Sequence, residues 1–185
     1  MTVLYLSIAF LIIFFLFFGR YVIARIIFAV KLGSLCRSKN AKLGKTSLFW
    51  WLKSINSKNC DFYIEFDKTV FSVKLIGFIS KKNMICFIDE NHYSRKNMTF
   101  QFHASAFQIE YKNHNMPAHN FRYKYNADHT VNWVPCYVVC PKILKLSKAD
   151  GNSMTEVCGG DKTGFTSVYE ASEFLSMIGS YGSRL

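Results

Sequence analysis

The sequence predicts an α+β protein: an N-terminal transmembrane helix, then one mixed-sheet domain with a short leading helix and a closing C-terminal helix. Three observations carry this. The chain opens on an uncharged apolar run, apolar/polar alternation of period two takes over after residue 60, and a helical stripe returns near the end.

From Thr2 to Gly19 no residue is charged, and Ile8 to Phe18 is almost all Leu, Ile and Phe. As one helix this stretch is about 27 Å long, close to the ~30 Å of a bilayer's hydrocarbon core. It is apolar all round, as lipid favours, whereas a helix on a soluble core keeps a polar back. No Lys or Arg precedes the run and no small-x-small site follows it, unlike a cleaved signal peptide.

Charge sets the orientation. Nine of the chain's 23 basic residues and none of its 12 acidic ones lie in residues 1–60. The remainder of the chain, with fourteen basic against twelve acidic groups, is nearly balanced. Cations beside a span stay on the cytosolic side, so a single-pass protein of the cell membrane is expected, N-terminus outside and folded part cytosolic. Tyr21–Val30 reads as an interfacial amphipathic continuation, with Arg20 and Arg25 snorkelling to headgroups. Residues 1–30 are thus anchor and extension, 31–45 a basic juxtamembrane linker, and 46–185 the domain. Arg20, Arg25, Lys31, Arg37 and Lys39 are the expected membrane contacts, each cation being worth about 1 kcal/mol near an anionic leaflet. Lipid is the first partner this implies; nucleic acid on the same cations is secondary.

Cys36, Cys60, Cys86, Cys136, Cys140 and Cys158 read as reduced thiols, mostly buried, in a reducing compartment. Cys136 and Cys140 would share one strand face without a second pair to complete a zinc site. The Asn97-Met-Thr99 sequon has no role on the cytosolic side.

Along the domain, Thr46 or Ser47 can cap a short helix reaching Ile55, with Leu48, Leu52 and Ile55 at helical spacing. Phe62, Ile64 and Phe66 then alternate with polar residues. A polar turn at Asp67-Lys68 leads into Thr69–Phe78, and the two runs read as a hairpin. Met84–Ile88, Met98–His103, Phe107–Lys112, Trp133–Cys140, Lys142–Ser147 and Phe165–Tyr169 are further strand candidates. His114–His129 reads as a long loop with a ragged strand at Phe121–Tyr125, and Asp150-Gly-Asn152 as a turn. The closing helix carries Ala171, Phe174, Leu175 and Ile178 on one stripe, with Gly179 placed to end it.

The stretch Cys60-Asp-Phe-Tyr-Ile-Glu-Phe-Asp-Lys-Thr-Val-Phe-Ser-Val-Lys74 is similar to the central hairpin of restriction-endonuclease-like nucleases, including nuclease-related domains. There an Asp opens one strand and the next ends in Glu-x-Lys or Asp-x-Lys, the carboxylates holding a divalent metal that activates water. The resemblance implies that fold, Mg²⁺ as cofactor, and Asp61 and Lys74 as first acid and lysine. Ser72 stands where the second acid belongs, and a neutral hydroxyl is a poor Mg²⁺ ligand. The resemblance covers about fifteen residues; Thr46–Ile55 and Trp133–Ile178 follow only its element order.

Other constellations lack a defensible spacing. His114, His119, Asp128 and His129 read as a solvated loop rather than a metal cluster. Gly159-Gly-Asp-Lys-Thr163 lacks the phosphate-loop spacing and reads as a turn. Phe121-Arg-Tyr-Lys-Tyr125 puts aromatics on one face and cations on the other, which can stack bases but also suits half a core. The expected function is a membrane-anchored domain without catalysis or cofactor, binding a cytosolic protein partner or the inner leaflet. A metal-dependent nuclease with a degenerate site is the alternative, and an accessory subunit of a membrane complex ranks third.

Overall fold

The computed structural model describes residues 2–45, 59–78, 83–89, 92–101, 106–115, 131–150 and 153–181. The leading helix expected over Thr46–Ile55, the strand at Phe121–Tyr125, and His119, Asp128 and His129 lie outside them.

Helix α1 (Thr2–Ser38) is followed by β1 (Lys42–Lys45), β2 (Phe62–Phe66), β3 (Thr69–Ile76), β4 (Met84–Phe87), β5 (His92–Gln101) and β6 (Ala106–Asn115). After them come β7 (Asn132–Val139), β8 (Lys145–Asp150), β9 (Ser153–Glu156), β10 (Asp161–Thr163), β11 (Thr166–Glu170) and α2 (Ala171–Tyr181). The α+β class holds, but the strands form two mixed sheets rather than one, ordered β1-β2-β3-β7-β11-β10 and β6-β5-β4-β8-β9.

The connectivity explains the second sheet. Strands β3, β7 and β11 run parallel in the middle of the first sheet. Parallel neighbours need long crossovers, usually helical. Here the elements described in both crossovers are strands: β4, β5 and β6 lie between β3 and β7, and β8, β9 and β10 between β7 and β11. The two excursions meet where β4 pairs parallel with β8, Cys86 opposite Ser147.

One face of the six-stranded sheet packs under both helices. Phe62, Ile64, Val73, Leu75, Cys136 and Val138 meet Phe28, Leu32 and Cys36 of α1 and Phe174 and Ile178 of α2 in one buried cluster. The Phe28 ring lies 6.2 Å from Phe174 and 6.4 Å from Phe62, centroid to centroid. The other face joins Ile76, Tyr137, Val139 and Val168 to Ile85, Phe87, Tyr93 and Leu146 of the second sheet. Helices, first sheet and second sheet are stacked in that order.

Helix α1 bends by 69° between an outer limb, Tyr5–Phe15, and an inner limb, Phe18–Ser38. Among the described residues no single straight helix is long and apolar enough to cross a membrane; the two limbs together meet the length and composition required. The inner limb departs from its expected place. Tyr21, Val22, Arg25, Phe28, Ala29, Leu32 and Cys36 are buried, so this segment is part of the domain core. The stretch read as a linker over 31–45 is the end of α1 followed by β1, which pairs with β2 along its outer edge. Gly179 does not end α2, which runs on to Tyr181. The reason is packing: the Tyr181 ring sits 4.9 Å from Phe66 and 5.0 Å from Phe71, and its hydroxyl lies 2.8 Å from that of Thr69.

Candidate functional site

Asp61 and Lys74 are brought together. Phe62 and Val73 are opposite in register, and the Asp61 N–H also donates to the Val73 carbonyl at 2.7 Å, which holds Asp61 at the strand end beside Lys74. Both side chains are fully buried, with Lys74 Nζ 3.8 Å from Asp61 Oδ2. Lys74 also donates to the Asn59 carbonyl at 3.1 Å.

The reason for an acid at this point lies in the sheet. Strand β2 begins at Phe62, while β3 runs on through Lys74, Leu75 and Ile76. Val73 bonds towards β2, so by strand alternation Leu75, two residues on, points its N–H and C=O the same way, past the first residue of β2. Buried backbone groups must find partners. The Leu75 N–H donates to Asp61 Oδ2 at 2.8 Å. The Leu75 carbonyl accepts from the Arg25 guanidinium at 3.3 Å. Arg25 Nε reaches the Cys140 carbonyl at 3.4 Å, and its guanidinium lies 4.2 Å from the centre of the Tyr21 ring. One buried polar network therefore ties α1 to the ends of β3 and β7. Close by, the backbones touch at Gly77, where a Cβ would stand 2.1 Å from the Cys140 oxygen.

Arg25 is fully buried, so the expectation that it snorkels to headgroups is corrected: its charge is spent on sheet carbonyls. Arg20 is partly buried and donates to the Lys142 carbonyl. Lys31 and Arg37 are exposed and Lys39 is partly covered.

The donors around Asp61 do not fit Mg²⁺. Oδ2 already accepts from Leu75 and faces Lys74, and Mg²⁺ holds several oxygens and waters in octahedral geometry. Ser72, in register between Tyr63 and Pro135, is a fully buried neutral hydroxyl without a hydrogen-bond partner. Glu65 lies four residues from Asp61 along β2, about 13 Å at strand spacing, and is 3.8 Å from Lys42 instead. Among the described residues no three His, Cys, Asp or Glu side chains converge as metal ligands.

Cys136 and Cys140 do share the core face with the helices. Burial pushes the Cys136 thiol up to about 12. Burial raises that of Cys140 to about 11, against the pull of Arg25 and Arg20. All six cysteines are free thiols and only Cys158 is exposed. The Gly159-Gly160 turn, with Gly160 at φ +94°, feeds β10.

The structure adds one surface that escaped the sequence reading and narrows a second, within the Tyr21–Val30 stretch expected at an interface. On the five-stranded sheet, Ser94, Cys86 and Ser147 stand in register across β5, β4 and β8. They line a cleft of about 240 Å³ together with Met84, Lys145 and Met154. Alternation places it away from the core, because Ile85, Phe87, Tyr93 and Leu146 point inward. The second surface is the outward face of the inner limb, where Ile23, Ile26, Ile27 and Val30 are exposed. Its signal was present as i, i+3, i+4, i+7 spacing beside a second apolar stripe at Tyr21, Val22, Phe28, Ala29 and Leu32. No family model, curated protein or solved structure matches the chain.

Proposed function

We propose that the chain is a membrane-held domain that acts by binding, on the cytosolic side, and not by catalysis. The observation that carries this is the outer limb of α1. Tyr5, Leu6, Ile8, Ile12, Ile13 and Phe15 are all exposed around it, an apolar surface that a water-soluble monomer rarely presents. Thr2–Phe15, up to the bend, covers about 21 Å as a helix, a length that a single pass accommodates by local thinning of the bilayer. The nine cations and no acids of residues 1–60 favour the domain staying on the inner side. The enclosed Asp61–Lys74–Arg25 network is accounted for by the capping of β3, so the pair read as first acid and lysine has a structural role without catalysis.

Alkaline carbonate extraction of membranes tests the anchor. The full chain should stay in the pellet and a chain beginning at Gly19, which keeps the packed inner limb, should be released. Protease added outside intact cells should remove only an N-terminal tag. Digestion of the domain from outside would overturn the orientation, and a tag protected outside but cut from inside would replace the single pass by a re-entrant limb.

The 3.8 Å approach of Lys74 to Asp61 favours one second reading, a degenerate restriction-endonuclease-like nuclease. It requires Mg²⁺- or Mn²⁺-dependent cleavage of DNA or RNA by wild type that is lost in a folded Asp61→Asn chain. Equal traces in both would discard it.

A further inference from the structure

Among the described residues, the inner limb has two apolar faces and packs one of them on protein. Its first face lies on the six-stranded sheet. Its second carries Ile23 (49% exposed), Ile26 (43%), Ile27 (49%) and Val30 (66%), a stripe more than two turns long. The layer's other helix shows that the fold does not demand this: α2 turns Ser172, Glu173, Ser176 and Ser180 outward. Exposed apolar side chains in such a row mark an interaction surface.

Continuity and charge say what covers it. The stripe begins four residues after Gly19 on the same helix as the exposed outer limb, so whatever solvates that limb lies at the stripe's edge. The 69° bend leaves the inner limb closer to the membrane plane than to the normal when the outer limb stands upright. The stripe is followed by exposed Lys31 and Arg37 and flanked by no acid in residues 1–60, the charge that suits an anionic leaflet.

We propose that Ile23, Ile26, Ile27 and Val30 lie in the headgroup boundary of the anionic leaflet, so that the inner limb is clamped between sheet and bilayer. This rests on the membrane reading above and adds an orientation to it. The helical layer lies against the lipid, and the five-stranded sheet stands one sheet spacing, about 10 Å, beyond the first sheet. The Ser94–Cys86–Ser147 cleft then opens towards the cytosol, and ligands reach it without passing the membrane.

Single labels test this in the full chain carrying Cys158→Ser, reconstituted into phosphatidylcholine–phosphatidylglycerol vesicles. An environment-sensitive dye is placed at Ile8→Cys, Ile26→Cys, Val30→Cys or Met154→Cys and quenched by nitroxide lipids. Quenching at Ile26 and Val30 should exceed that at Met154 severalfold, and Ile26→Glu with Ile27→Glu should abolish the excess at Val30 while Ile8 stays quenched. If Ile8 is quenched but Ile26 and Val30 match Met154, the clamp is wrong and the anchor stands. If Ile8 is also unquenched, the membrane reading fails with it. Cross-linking of Ile26 to a second copy, without lipid quenching, would overturn the proposal in favour of a protein partner.

Discussion

The inner limb of α1 and helix α2 do the same structural job with opposite exteriors. Both lay an apolar stripe on one face of the six-stranded sheet, and their rings meet at Phe28 and Phe174. Helix α2 finishes with serines and a glutamate outside; the inner limb finishes with isoleucine and valine. The limb also carries Arg25 on its inward face, where α2 carries no cation. Folding explains one face of each helix. It leaves the outer face of α1 to be explained by something the domain touches.

The sharpest way to break the comparison is to attack the shared inward stripe. Phe28→Ala and Phe174→Ala should each cost about 3–5 kcal/mol, measured by urea unfolding in detergent; a much smaller loss at Phe28 alone would mean that the limb is not core. Lys74→Met should cost a similar 3–5 kcal/mol by removing the buried cation that faces Asp61. Adding Asp61→Asn should recover much of that loss, whereas additive losses would show that the pair is not coupled. Arg25→Met orphans the Leu75 and Cys140 carbonyls on the α1 side only and should cost about 1–3 kcal/mol.

Alkaline pH probes the core under both helices. The folded thiol values of Cys136 and Cys140 are raised, so their contribution is complete below the ordinary 9.0 and is lost as pH climbs towards about 11 and 12. The melting temperature should fall over that window, and Cys136→Ala should flatten the decline. Smallest of all, Ile26→Ser with Ile27→Ser should change stability in detergent by no more than about 0.5 kcal/mol, since those side chains face away from the sheet. A large loss there would erase the distinction between the two exteriors.

Much of this fold could be read from the chain because alternation is local. The Phe62–Phe66/Thr69–Ile76 hairpin, β4, β7, β11 and α2 fall close to where period two and period 3.6 place them. Strand β1 could not be read: Lys42-Leu-Gly-Lys45 has no strand character of its own and is extended because β2 offers an edge. The division into two sheets was equally hidden, since alternation says that a strand has two faces but not which strand lies beside it. Asp61 and Lys74 were legible as a pair through the hairpin's resemblance. Arg25 was not, because one cation in an apolar run looks the same whether it reaches a headgroup or a pair of carbonyls; only the sheet ends, 50 and 115 residues away in sequence, decide it.

The strand-built crossovers carry a cost in time. Strand β3 is complete at Ile76, but its parallel neighbour does not begin until Asn132. A growing chain therefore leaves the ribosome with its hairpin finished and one long edge open while more than a quarter of the polypeptide is still being made. Open edges recruit foreign strands, and late, distant pairings fold slowly. Early capture of α1 by a membrane, as proposed above, would hold such half-made molecules apart during that interval.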